Sequence, residues 1–142
     1  MKTETMLEKI YEKYKDLKTE ATADCKFEKS DLTKSFGTTQ HLVKWINKKS
    51  EWSRVFRDLE SKRKDAYRKA YEFYQTDYPL KLSTKDEYTL FIESDINYVE
   101  HMNVSLVVKE ILQYIDSVIE TLKSKSWETK NYLEWIKFQN GQ

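Results

Sequence analysis

Gly37, Pro79 and Gly141 are the only glycines and the only proline in a chain of 142 residues. Average usage is about 7% Gly and about 5% Pro. Sandwiches and barrels need such residues at frequent turns, so a chain this poor in them is driven toward long helices. The expected fold class is mainly α. The length suits one domain. Hydrophobic residues make up 39% and charged residues 35%, which is lean in core and rich in solvated helix surface. A thin core with many aromatics implies that much apolar surface is buried between subunits.

The same composition removes several function classes. Cys25 stands alone, which excludes an intrachain disulfide and a multi-Cys metal site and fits a reducing cytosol. No apolar N-terminal run reads as a signal peptide or a transmembrane helix. His41 and His101 lack any HxxxH or HExxH context, so no metal and no cofactor are expected. No Walker-type loop is present, and two glycines cannot build a Gly-rich phosphate cradle. Cys25 and His41 have no orienting third group at a defined spacing. The adjacent carboxylates Asp86 and Glu87 read as helix-capping charges. The chain is not expected to be an enzyme.

Helical spacing places the elements. Thr5 and Glu8 form a capping box ahead of Met6, Leu7, Ile10, Tyr11, Tyr14 and Leu17. That helix is either a bundle helix or a protein-docking arm. Residues 21–37 lack a period and read as a loop with a turn near Asp31. A helix starts at Thr38-Thr39-Gln40, and Ser50 reads as the N-cap of a longer one over about 51–75. Its apolar residues, from Trp52 and Val55 through Leu59 and Ala66 to Phe73 and Tyr74, fall within about 60° of one line at 100° per residue. Arg63 sits inside that stripe and calls for a subunit contact or a snorkelling stem. Pro79 closes the region. Thr84 and Glu87 form a second capping box before a short helix, although Tyr-Thr-Leu-Phe-Ile also has strand propensity.

A long helix is expected from about Asp95 to Lys125. Val104, Val108, Ile111, Ile115, Val118 and Leu122 follow at spacings of 4, 3, 4, 3 and 4, a heptad seam with β-branched residues in five of six positions. Val107, Leu112 and Ile119 widen it to suit a multi-helix contact, either inside the protomer or around a ring. A last helix over about 128–140 presents Tyr132, Trp135 and Ile136 and stops at Gly141. Trp127 and Trp135 read as core or subunit contacts ahead of base-stacking rings. The organisation is an N-terminal helical region, 1–78, carrying a basic helix, and a C-terminal helical oligomerisation region, 79–142, within a single compact unit.

Charge is sorted along the chain. Residues 44–71 hold ten Lys/Arg against four Asp/Glu, a net +6, whereas 72–120 hold three against ten, a net −7. Cations beside aromatics are what single-stranded nucleic acid seeks: charges to track phosphates and rings to stack bases. The candidate contacts are Lys48, Lys49, Arg54, Arg57, Lys62, Lys64, Arg68 and Lys69. Tyr71 joins them as the ring about 100° off the apolar stripe. Beside the cations runs an acidic row, Asp58, Asp65 and Glu72, at seven-residue spacing. The rival readings are a helical scaffold whose basic face meets an acidic protein, and a coiled-coil structural protein.

Three stretches carry a family resemblance. Lys44-Trp45-Ile46-Asn47-Lys48 resembles the Lys-Trp/Tyr-Leu/Phe-Asn-Lys stretch of UvsY-type recombination mediators of tailed phages. Ser61 to Tyr74 is similar to that family's basic helix ending in a Tyr/Phe-Tyr pair. Lys123 to Gly141 resembles its terminal pattern of Arg-x-Phe-x-Ile-Lys-Asn, a Trp, a Phe and a final Gly. The similarity runs from about Leu32 to Gln142. It implies a non-catalytic recombination and DNA-repair factor that binds single-stranded DNA as a hexameric or heptameric ring. It further implies help to a RecA-like phage recombinase in displacing the phage single-stranded-DNA-binding protein. The setting implied is the cytoplasm of an infected bacterial host, with no membrane. The family's two basic positions, two apart, fall here on Arg68 and Ala70, so Lys69 or Lys64 takes the second role. The Gly that often follows the Tyr pair is replaced by Gln75-Thr76. The family's C-terminal oligomer contacts agree with the seam and Trp135.

Overall fold

The computed structural model describes residues 5–26 and 37–141. Among them are four helices and no strand: α1 (Met6–Asp24), α2 (Thr38–Thr76), α3 (Lys85–Glu93) and α4 (Ile96–Gln139). Both capping boxes form. The Glu8 amide donates to Thr5 Oγ1 at 3.2 Å and the Thr5 amide to Glu8 Oε2 at 2.9 Å. At the start of α3 the Glu87 amide donates to Thr84 Oγ1 at 3.2 Å, while the Glu87 carboxylate reaches one residue further back, to the Ser83 amide at 2.9 Å. Capping thus decides the helix–strand choice for this segment in favour of helix. Asp95 caps α4, accepting from the amides of Asn97 and Tyr98. Gly141 ends the last turn with φ of +73°, the left-handed stop that glycine adopts without a Cβ penalty.

The helices run longer than local signals indicate. Residues 21–24, expected in a loop, continue α1, because Ala21 extends the buried face of Ile10, Tyr14 and Leu17 at helical spacing. The expected turn near Asp31 lies outside the described residues. Ser50 is not an N-cap: α2 passes through it unbroken, since buried Trp45 and Leu59 lie fourteen residues apart on one continuous face. The separate helix expected over 128–140 is the last part of α4. No Gly or Pro intervenes, and buried Lys125 and Thr129 carry the inner face onward.

The chain divides into two compact units, one of Met1–Tyr11 with Ser53–Glu110 and one of Glu12–Trp52 with Ile111–Gln142. In the first, Ala70, Ile92 and Tyr98 form a core flanked by Ala66, Tyr67, Tyr74, Tyr88 and Met102. Tyr67 meets Tyr98 edge to face at 5.5 Å. Arg63 needs neither a second subunit nor a snorkelling stem. Its guanidinium is held by Glu60 at 2.8 Å and by Tyr98 Oη at 3.0 Å. Ser105 completes the network by donating to Glu60 at 2.5 Å. Hydrogen bonds from Arg63, then Ser105, bring the Glu60 carboxyl down to a pKa of about 2.

In the second unit, Trp45 is fully buried and donates its indole proton to Asp24 Oδ2 at 2.9 Å. Lys44 bridges Glu20 and Asp24 at 2.8 and 2.5 Å. Burial works to raise the Asp24 carboxyl, but hydrogen bonds from Lys44 and Trp45 overcome it and hold the group below its ordinary range. Lys125, itself buried, donates to the Asp24 carbonyl oxygen at 3.1 Å. There it meets the negative end of α1. All six seam residues, Val104 through Leu122, are buried within the chain. Of the two uses open to the seam, packing inside the protomer is the one the fold makes.

Candidate nucleic-acid interface

The first unit's stretch of α2, from Arg54 to Glu72, carries most of the candidate contacts. A helix rises about 1.5 Å per residue and repeats every 3.6 residues. Residues seven apart therefore lie nearly in line, about 10 Å from one another. Arg57, Lys64 and Tyr71 form one such line, and the acidic row Asp58, Asp65 and Glu72 another beside it. Lys62 and Lys69 flank the acidic row on its far side.

The structure separates the cations into two groups. Arg54, Arg57, Lys62 and Lys64 are exposed and form no ion pair or hydrogen bond among the described residues. Arg68 and Lys69 are exposed but engaged. Arg68 gives one guanidinium nitrogen to Asp65 at 2.7 Å and the other to Glu72 at 3.1 Å. Lys69 reaches Asp65 at 3.3 Å. The hydrogen bond from Arg68, then that from Lys69, holds the Asp65 carboxyl below its ordinary range. Lys48 and Lys49 belong to the second unit, where they pair with Glu20 at 3.3 Å and Asp116 at 2.6 Å.

Tyr71 is 41% exposed and rests on Tyr88 of α3, ring centroids 5.2 Å apart and planes tilted by 36°. One ring is therefore backed by another and still presents a face to solvent. Phe73, expected in the apolar stripe, is 44% exposed, because the core on this side closes around Ala70 and Tyr74. Ala70 is buried, so a cation at that position would point into the core, while Lys64 next to the strip is free.

Two contributors leave no mark in the sequence pattern of the basic strip. Ser61 joins Lys62, Lys64, Asp65 and Arg68 around a shallow depression of about 400 Å³. The second is Tyr88, which supports Tyr71. The pairing of Asp65 with Arg68 and Lys69 was recoverable from their i,i+3 and i,i+4 spacing; the Tyr71–Tyr88 stack joins two helices and gives no local signal.

Trp127 and Trp135 are not core. They are 64% and 53% exposed, and Phe138 is 81% exposed. Trp135 stacks on Tyr132 at 6.1 Å, and Lys130 Nζ lies 5.5 Å from the Trp127 ring centre. The last turns of α4 thus present large rings to solvent. Among the described residues no cluster of His, Cys, Asp and Glu is placed to hold a metal ion. No helix among them is long and apolar enough to cross a membrane.

The family described as "Recombination, repair and ssDNA binding protein UvsY" matches residues 20–142. Crystal structures of the bacteriophage T4 recombination mediator protein UvsY share the fold. One lattice form superposes with a TM-score of 0.79 at 17% identity, covering 89% of this chain and 98% of that one. A second gives 0.79 at 19%, covering 89% and 96%. No curated protein sequence matches the chain.

Proposed function

The chain belongs to the UvsY family, and from that footing we propose that it is a recombination mediator that binds single-stranded DNA along α2. The observation that carries this reading is the pair of unpaired cations Arg57 and Lys64 in line with the half-exposed Tyr71, with unpaired Arg54 and Lys62 elsewhere on the exposed side of the same helix. Cations at this spacing suit successive phosphates, and a backed ring suits a base, with stacking contributing about 1–3 kcal/mol per base. Four free cations are a modest set, so a single protomer binds weakly.

Avidity comes from self-association. The rings of Trp127, Trp135 and Phe138 are a large exposed apolar surface, and they support a hexameric or heptameric assembly through region 79–142. The seam from Val104 to Leu122 contributes by stiffening α4, since its side chains are closed within the chain. A ring repeats the weak strip at high effective concentration. It holds a strand in the cytoplasm of an infected host and passes it to a RecA-like recombinase as the phage single-stranded-DNA-binding protein is displaced. The protein supplies binding and positioning, not catalysis.

Titration of a labelled oligothymidylate against salt tests the reading. Log K falls with log salt by about 0.7 per phosphate neutralised on a single strand, and several contacts per oligomer give a steep slope. No binding at low salt, with binding to an acidic protein instead, rejects it in favour of the scaffold reading.

A further inference from the structure

Asp65 lies in the depression bounded by Ser61, Lys62, Lys64 and Arg68. Its two oxygens take the Arg68 guanidinium at 2.7 Å and the Lys69 ammonium at 3.3 Å. A carboxylate among four cations occupies the place where a phosphate oxygen would be most favoured. We infer that Asp65 is a built-in competitor for the strand: a DNA phosphate enters this depression by displacing the carboxylate from Arg68 and Lys69. The inference rests on the strand-binding reading given above and adds the residue that limits its affinity.

The exchange is physically easy. Both partners of Asp65 are more than half exposed, at 61% and 69% of their side-chain surface, and exposed ion pairs of this kind are weak. Arg68 Nη2, once Asp65 lets go, donates to a phosphate oxygen as readily as to a carboxylate oxygen. Glu72 holds the second nitrogen of Arg68 at 3.1 Å, so the guanidinium stays oriented over the helix while Asp65 lets go. Asp58, two turns earlier on the same row, is exposed and has no ion pair among the described residues. The acidic row thus contains one carboxylate that engages cations of the strip from both sides and one that merely adds charge. A mediator that must both hold and release a strand gains from a competitor that returns whenever a phosphate leaves.

The test compares Asp65→Asn with Asp58→Asn in the full-length protein, using a labelled oligothymidylate at several salt concentrations. Both changes remove one negative charge from the same helix face. Asp65→Asn is expected to tighten binding by about three- to tenfold and to steepen the salt slope by about 0.7 for each cation released per protomer. Asp58→Asn is expected to change affinity less than about twofold. On an Arg68→Ala/Lys69→Ala background, the gain from Asp65→Asn falls to the Asp58→Asn level. Equal effects of the two single changes, or a gain that survives on that background, overturn the inference and leave only net charge. If Arg68→Ala weakens binding while Asp65→Asn fails to tighten it, the competitor fails and strand binding stands. If the wild type does not bind the oligonucleotide, both fail together.

Discussion

Arg63 Nη1 donates to the phenol oxygen of Tyr98 at 3.0 Å, joining α2 to α4 inside the first unit. The same guanidinium grips Glu60, which also accepts from Ser105. Glu60 is the acidic hub of this network, and its carboxyl is held down to about 2 from an ordinary 4.5. A depressed carboxylate pKa stabilises the fold above the unfolded value and loses that contribution as pH falls through the folded one. Wild-type stability in urea should therefore drop between about pH 4.5 and about pH 2. Glu60→Gln should cost about 1–3 kcal/mol at pH 7 and flatten that acid limb. An acid limb of unchanged depth in Glu60→Gln would assign it to other carboxylates.

Trp45 is the largest fully buried side chain, and its indole proton goes to Asp24. Trp45→Ala should lower unfolding free energy by about 3–5 kcal/mol. Trp45→Phe keeps most of the volume but deprives Asp24 of a donor, at about 1–3 kcal/mol. Chemical denaturation distinguishes the two. A Phe variant as unstable as the Ala variant would show that ring volume is not what the site requires.

Ile115 and Trp135 sit on one helix with opposite exposures, 0% and 53%. Ile115→Ala should cost about 2–5 kcal/mol of stability through the cavity it leaves. Trp135→Ser should leave the far-UV circular dichroism of the protein unchanged and reduce its mass in native mass spectrometry. Retention of the full assembly in Trp135→Ser would move self-association away from the end of α4.

Thr84 caps α3 through its hydroxyl. Thr84→Ala should destabilise by about 1 kcal/mol and raise amide exchange in Lys85–Glu93 more than in α2. Uniform exchange across both helices would mean that α3 is held by packing around Ile92 alone.

Local chemistry explains what could be read from the sequence. The two capping boxes and the stop at Gly141 use residues within four positions of one another, so their outcome follows from the chain alone. The breaks expected at Ser50 and near Ser126 did not occur, because an N-cap residue matters only where the helix has reason to stop. Continuous apolar faces through Trp45, Leu59 and Leu122 supply none. Lys48 and Lys49 show the same limit at the candidate site. Their partners, Glu20 and Asp116, lie on other helices, so a count of cations could not foresee that they are engaged. Arg68 and Lys69 are paired on their own helix, and there i,i+3 and i,i+4 spacing was enough.

On the proposed reading, strand binding depends on the free cations of α2 meeting phosphates. The most direct measurement is the salt dependence of oligothymidylate affinity for Arg57→Ala/Lys64→Ala against the wild type, with the oligomer mass checked in parallel. The predicted result is weaker binding and a salt slope shallower by about 0.7 for each phosphate no longer neutralised, at unchanged mass. An unchanged slope would contradict binding along α2 and place the strand on another surface.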